Sequence, residues 1–187
     1  MATQQDVIEV LVTDHREVEQ MFGELEHMIG GIGEPAKTLA EKVVIELVRH
    51  SIAEEEYLYP AVREHVPGGN KLANQEITEH AEAEQTMKRL EALEPNEREF
   101  WPTMELLMSQ IRAHIREEEN DLFPRLREAC TPEQLTELGG KVQKAKKLAP
   151  TRPHPAAPDT PPANKLLAPG AGLVDRIRDA ITGRGRS

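Results

Sequence analysis

One device is written twice in this chain. His50-x-x-x-Glu54-Glu55-x-x-Leu58-Tyr59-Pro60 returns 64 residues later as His114-x-x-x-Glu118-Glu119-x-x-Leu122-Phe123-Pro124, and Thr13-Asp14-His15-x-Glu17-x-Glu19-Gln20 returns 65 residues later as Thr78-Glu79-His80-x-Glu82-x-Glu84-Gln85. A fold must bring together two like pairs of segments, each pair offering a lone His beside a His-x-x-x-Glu. On a helix, residues four apart project from one face a single turn apart, so each His and its Glu point the same way.

Helical periodicity surrounds all four segments. Ile8, Leu11, His15, Val18, Phe22, Leu25 and Ile29 recur at steps of three and four and end at Gly30-Gly31-Ile32-Gly33. Leu39, Val43, Leu47, His50, Glu54 and Tyr57 form a second stripe that starts near Pro35 and meets a kink or break at Pro60. A third helix over residues 71–94 carries Ala73, Ile77, His80, Glu84 and Met87 on its stripe, and a fourth carries Met104, Leu107, Ile111, His114, Glu118 and Asp121 before Pro124. Thr131-Pro132-Glu133-Gln134 has the form of a capping box opening a short fifth helix weakened by Gly139-Gly140.

The fold class is therefore all-α, an antiparallel up-down four-helix bundle with a short fifth helix, spanning residues 1–147. Residues 148–187 form a second region. From Pro150 to Pro169 the chain is rich in Pro, Ala and Thr and reads as an extended linker. Beyond it, Leu173, Val174, Ile177, Ala180 and Ile181 make the apolar face of a short amphipathic helix, with Asp175, Arg176, Arg178 and Asp179 opposite. A helix of about nine residues does not persist alone in water, so this piece must dock on the body, on a second copy, on a membrane surface or on a protein partner.

Composition removes several function classes. A net charge of −10 opposes general nucleic-acid binding. No run of about 18 apolar residues is present, so no transmembrane segment is expected. A lone Cys130 makes no internal disulfide, and the polar start Met1-Ala-Thr-Gln-Gln lacks the regions of a signal peptide, which together give a cytoplasmic expectation.

If the helices are staggered so that His15, His50, His80 and His114 share one level, four imidazoles converge there, with Glu54 and Glu118 in the adjoining layer. Imidazole and carboxylate together suit iron, manganese or zinc, and a carboxylate has two oxygens with which to bridge a pair of cations. Four His, two bridging Glu and one bridging oxide or hydroxide would leave roughly two coordination positions open on two six-coordinate metals. Buried without metal, such a set would cost several kcal/mol unless each member found a partner. Glu19 and Glu84 are candidates for further ligands or imidazole partners, as are Tyr57 and Asp121, one turn beyond Glu54 and Glu118. Glu55, Glu56 and Glu119 are expected in solvent, and His27, His65 and His154 on the surface.

The motif, its order and the Leu-aromatic-Pro that follows resemble the hemerythrin-like, HHE cation-binding family over residues 6–128. That resemblance implies a non-haem di-iron centre, oxo- or hydroxo-bridged, held by His15, His50, Glu54, His80, His114 and Glu118. It also implies a small ligand such as O2, peroxide or nitric oxide, with a role in oxidative stress as an enzyme consuming peroxide or nitric oxide or as a sensor. The alternative is a metal-responsive binding or signalling module acting through the C-terminal helix. Oxygen-carrying members have a His four residues after the third-helix His and an Asp five residues after the fourth-helix His. Here Glu84 stands in the first of those places and Glu118, four residues after His114, takes the part of that Asp, which argues against reversible oxygen transport and for redox chemistry or sensing.

Overall fold

A computed structural model describes residues 5–157 together with 171, 175 and 179. Among the described residues the only regular structure is helical. Four long rods form the bundle. The first is α1 (Val7–His27), capped by Asp6, which exchanges hydrogen bonds with Glu9. The second is α2 (Glu34–Ala53), which opens with Pro35 in its first turn and continues through a π-turn (Glu54–Leu58) into α3 (Tyr59–His65). The third is α4 (Gly69–Glu91), entered from Gly68 at φ 75, a left-handed turn that glycine takes without strain. The fourth is α5 (Phe100–Glu117), which continues through a second π-turn (Glu118–Leu122) into α6 (Phe123–Ala129).

The expected breaks at Pro60 and Pro124 are these π-turns. A proline lacks the amide hydrogen for the i→i−4 ladder and crowds the carbonyl four residues back. The chain answers by widening one turn, so that Tyr59 N–H donates to Glu54 O and Phe123 N–H to Glu118 O, each five residues back. Each rod therefore continues past its proline, and each π-turn begins at a glutamate of the repeated motif.

The fifth helix, α7 (Pro132–Leu148), is longer than expected at 17 residues and does have the Thr131/Gln134 capping box. It packs on α1, α2 and the first π-turn. Gly139 does not weaken it. A Cβ there would lie 2.5 Å from Gln5 O, so the missing side chain lets α7 cross the start of α1 closely. Trp101, at the other end of the bundle, donates its indole N–H to Gly31 O, and Ile29 lies beyond the end of α1, half exposed.

Two apolar clusters fill the interior, one built around Phe22, Leu47, Met87 and Leu107, the other around Leu11, Leu58, Val62 and Leu126. Each rod crosses from one cluster to the other at a histidine: His15 falls between Leu11 and Val18, His50 between Val48 and Ala53, His80 between Ala73 and Ala83, and His114 between Ile111 and Leu122. The four imidazoles thus form a polar layer sealed above and below by hydrocarbon.

Residues 158–169 of the expected linker lie outside the described residues, as does most of the expected terminal helix. Thr151 and Arg152, just past α7, are held by that helix's described residues. Thr151 N–H and Arg152 N–H donate to Asp175 Oδ2 at 3.2 and 3.0 Å, and the Arg152 guanidinium meets Asp179 at 2.7 Å. Asp175 and Asp179 are helical and buried, not solvent-facing as the amphipathic reading placed them. His154 joins the same contact: its Nε2 is 2.9 Å from Asp175 Oδ2, and its backbone N–H donates to Glu84 on α4 at 2.7 Å. No described helix is long and apolar enough to cross a membrane.

Candidate metal centre

All six residues selected from the sequence meet in the polar layer, and all are buried. The rings pair across neighbouring rods, with His15 Nε2 3.3 Å from His50 Nε2 and His80 Nε2 3.1 Å from His114 Nε2. Glu54 lies between the pairs, its Oε1 3.0 Å from His50 and its Oε2 3.3 Å from His80. Glu118 spans them as well, its Oε2 3.4 Å from His15 Nε2 and 3.6 Å from His114 Nε2. Donor atoms of His15, His50, Glu54 and Glu118 fall within 4.8 Å of one another, and so do those of Glu54, His80 and His114. The two groups share Glu54, the arrangement that lets one carboxylate face two cations.

A ring of further carboxylates fixes the imidazoles. His50 Nδ1 is 3.1 Å from Asp14 and His114 Nδ1 3.1 Å from Glu79; His80 Nδ1 is 3.0 Å from Glu55 and His15 Nδ1 2.9 Å from Glu119. A carboxylate only accepts, so each Nδ1 carries the hydrogen and each Nε2 is the atom presented to the centre. The pattern obeys the sequence repeat. The residue before each lone His serves the neighbouring rod's His, and the residue after each motif Glu serves the lone His of the other half. Glu55 is therefore buried and Glu119 only partly exposed, and Glu56 is buried too. The wider π-turn carries consecutive glutamates inward where a regular helix would carry the second one out.

Other expectations resolve differently. Glu19 is held by Arg112, whose Nε and Nη2 donate to it at 3.0 and 2.6 Å, which closes the seam between α1 and α5. Glu84 accepts from His154 N–H, and Asp121 pairs with Arg125 at 2.7 Å. Tyr57 packs against the second apolar cluster. The aromatic residue that reaches the donors is Tyr59, whose hydroxyl donates to Glu118 Oε1 at 3.3 Å and lies 3.0 Å from His80 Nε2. Its counterpart Phe123 stacks on His15, with centroids 5.8 Å apart and planes 9° from parallel. Glu76, one turn before His80, is buried against His114 and had no signal in the repeat, since its counterpart is Leu11. Asp14, Glu79, Glu55 and Glu119 did have one, because both copies place a carboxylate there.

The electrostatics describe a buried excess of negative charge. Burial opposes a proton on His50, but Glu54 and Asp14 outweigh it and raise the ring to about 10. Burial likewise opposes His80, and the nearby Glu54 and Glu55 carboxylates raise it to about 9 against repulsion from His114. His114 is pushed well above its ordinary value by Glu118, Glu76 and Glu79 despite its burial. Glu54 would be raised by burial, yet the His50 and His80 rings hold it well below the usual carboxylate range. Burial pushes the Tyr59 phenol up, with Glu54 and Glu118 adding to it.

The residues fit a metal on an observation of their own. Glu54 Oε1 and Oε2 and Glu118 Oε2 are buried without a hydrogen-bond partner. Such atoms cost free energy unless positive charge meets them. With four Nε2 atoms aimed at the same place, a cation is the group that satisfies oxygens and nitrogens together.

Comparison with known proteins agrees. The model of the hemerythrin HHE cation-binding domain matches residues 6–126. An uncharacterized hemerythrin-like protein of Schizosaccharomyces pombe is 26% identical over 176 residues, which are 94% of this chain and 86% of that protein. A DNA nickase of Nostoc sp. is 30% identical over 145 residues, 76% of this chain, and the chain covers 38% of that relative's length. The crystal structure of a hemerythrin HHE cation-binding domain-containing protein from Mycobacterium kansasii has a TM-score of 0.67, covering 76% of this chain and 86% of the other at 24% identity, a likeness of fold.

Proposed function

The chain belongs to the hemerythrin HHE cation-binding family, and on that footing we propose that it holds two non-haem iron ions and reacts with or senses O2, peroxide or nitric oxide. His15, His50, Glu54, His80, His114 and Glu118 would hold the ions, Glu54 and Glu118 each lying near imidazoles of both pairs. The observation that carries the reading is the set of buried carboxylate oxygens without hydrogen bonds, facing four inward Nε2 atoms.

Bound iron supplies redox electrons and open positions for a small ligand. The protein's own residues do the rest. Asp14, Glu55, Glu79 and Glu119 hold each imidazole in one tautomer and orientation. The apolar clusters on either side exclude bulk water and restrict the layer to small molecules. The Tyr59 hydroxyl, between Glu118 and His80, is placed to hold or pass a proton at Glu118 Oε1. A carboxylate-rich environment favours the oxidised metal, which suits redox chemistry or sensing better than oxygen carriage. The nickase likeness is not carried over, because a net charge of −10 opposes a polyanionic substrate.

The test is the optical spectrum of iron-loaded protein before and after peroxide, nitric oxide and O2, repeated for His114→Ala. A spectral change with at least one of the three, lost in the variant, is expected. Iron bound with no response to any of them would overturn the reactivity.

A further inference from the structure

Among the described residues, the two halves of the centre differ in polarity at two positions near the donors. Glu76 stands where the first half has Leu11, and Tyr59 where the second half has Phe123. Both departures place polar groups on the same side. The Tyr59 hydroxyl is 3.0 Å from His80 Nε2, and Glu76 Oε2 is 2.9 Å from His114 Nδ1.

Glu76 is not needed to hold His114. That Nδ1 has one hydrogen, and Glu79 takes it in hydrogen-bond geometry at 3.1 Å. Glu76, only 2% exposed, is left with its Oε2 buried and without a hydrogen-bond partner. Donor atoms of Glu76, His114 and Glu118 lie within 4.8 Å of one another.

The charges behind the two halves diverge in the same sense. Asp14 and Glu119, which orient His50 and His15, are paired with Lys146 at 2.5 Å and Arg16 at 2.6 Å. Glu79 instead accepts from the neutral amide of Gln75 at 3.2 Å. A cation beside His80 and His114 meets an additional buried carboxylate, while one beside His15 and His50 meets carboxylates already partly neutralised.

We propose that the two cation positions are unequal: Glu76 makes the His80/His114 position the tighter one, a first divalent cation fills it, and a second binds more weakly at His15/His50. The centre can then be loaded in order with two different divalent metals. This rests on the reading of the six residues as ligands.

Titration of the metal-free, full-length protein with Co2+, followed by its visible absorption, tests the order. Two equivalents are expected in two steps at least tenfold apart in affinity, with His15→Ala losing only the weaker. Glu76→Leu, which copies the other half, and Glu76→Gln, which keeps the shape and the fold, should each weaken the tighter step by about 10–100-fold. Two equivalents entering in one step, or Glu76→Gln leaving both affinities unchanged, would overturn the inequality and make Glu76 a protonated carboxyl. No Co2+ bound by the unaltered protein would overturn the ligand reading itself.

Discussion

Removing the metal and raising the pH from 6.5 to 9 should destabilise the protein, because the negative centre is then neutralised by protons on imidazoles. His50 and His80 keep their protons up to about 10 and about 9 in the folded chain, against 6.5 ordinarily. A group whose folded value is raised contributes stability that is complete below its unfolded value and is lost as pH climbs toward the folded one. Each such proton gives a slope of about 1.4 kcal/mol per pH unit. Two independent rings would lose about 7 kcal/mol by pH 9, an upper bound, since His80 and His114 repel and share their protons. A loss of about 2–4 kcal/mol is expected, or roughly 5–15 °C in melting temperature for a chain of this size. Glu54 and Asp14 are lowered and work from the other side, their contribution disappearing in acid below about 4.5 and 3.8. The metal-free optimum should therefore fall between about 4.5 and 6.5. Metal requires neutral rings, so binding should tighten as pH rises and oppose this slope. Thermal melts by circular dichroism, with chelator and with excess metal, give both curves. A metal-free melting temperature that is flat or rising between pH 6.5 and 9 would show that protons on these imidazoles do not stabilise the fold.

Lys146→Met should weaken cation binding by about tenfold with little change in helix content, because the lysine fixes the Asp14 that orients His50, and Lys146→Arg should restore it. Competition with a chromophoric chelator measures this. Gly139→Ala pushes a methyl against the Gln5 carbonyl and should cost about 1–3 kcal/mol in denaturant melts. Tyr59→Phe removes one buried hydrogen bond to Glu118 and should cost about 1 kcal/mol of stability while slowing peroxide turnover of the iron-loaded protein, measured by stopped-flow absorbance. Leu107→Ala, in the apolar cluster away from the imidazoles, should cost about 2–5 kcal/mol yet leave metal stoichiometry unchanged.

The bundle and its six central residues were legible because helical periodicity and a doubled motif act over many residues. A His on an apolar stripe faces inward wherever the stripe does. Glu55 and Glu119 were not legible as imidazole partners, since a regular helix turns the residue after Glu54 or Glu118 away and only the π-turn brings it back. Pro60 and Pro124 signalled an irregularity but not its form: a missing amide donor is compatible with a break, a kink or a widened turn. Glu76 escaped notice because it breaks the repeat, and Glu84 attracted notice because it obeys it. Which of the two reaches the donors depends on the rotation of α4, and periodicity over a stripe this polar fixes that rotation poorly. The contact of Asp175 and Asp179 with Thr151 and Arg152 joins segments more than twenty residues apart, beyond the reach of any local pattern.

The most direct test of the centre is a crystal of the metal-loaded protein with anomalous scattering collected at the iron edge, alongside elemental analysis of the same sample. Two peaks per chain are predicted, one beside His15 and His50 and one beside His80 and His114, with Glu54 and Glu118 between them. A single peak, or peaks away from these six side chains, would contradict the account.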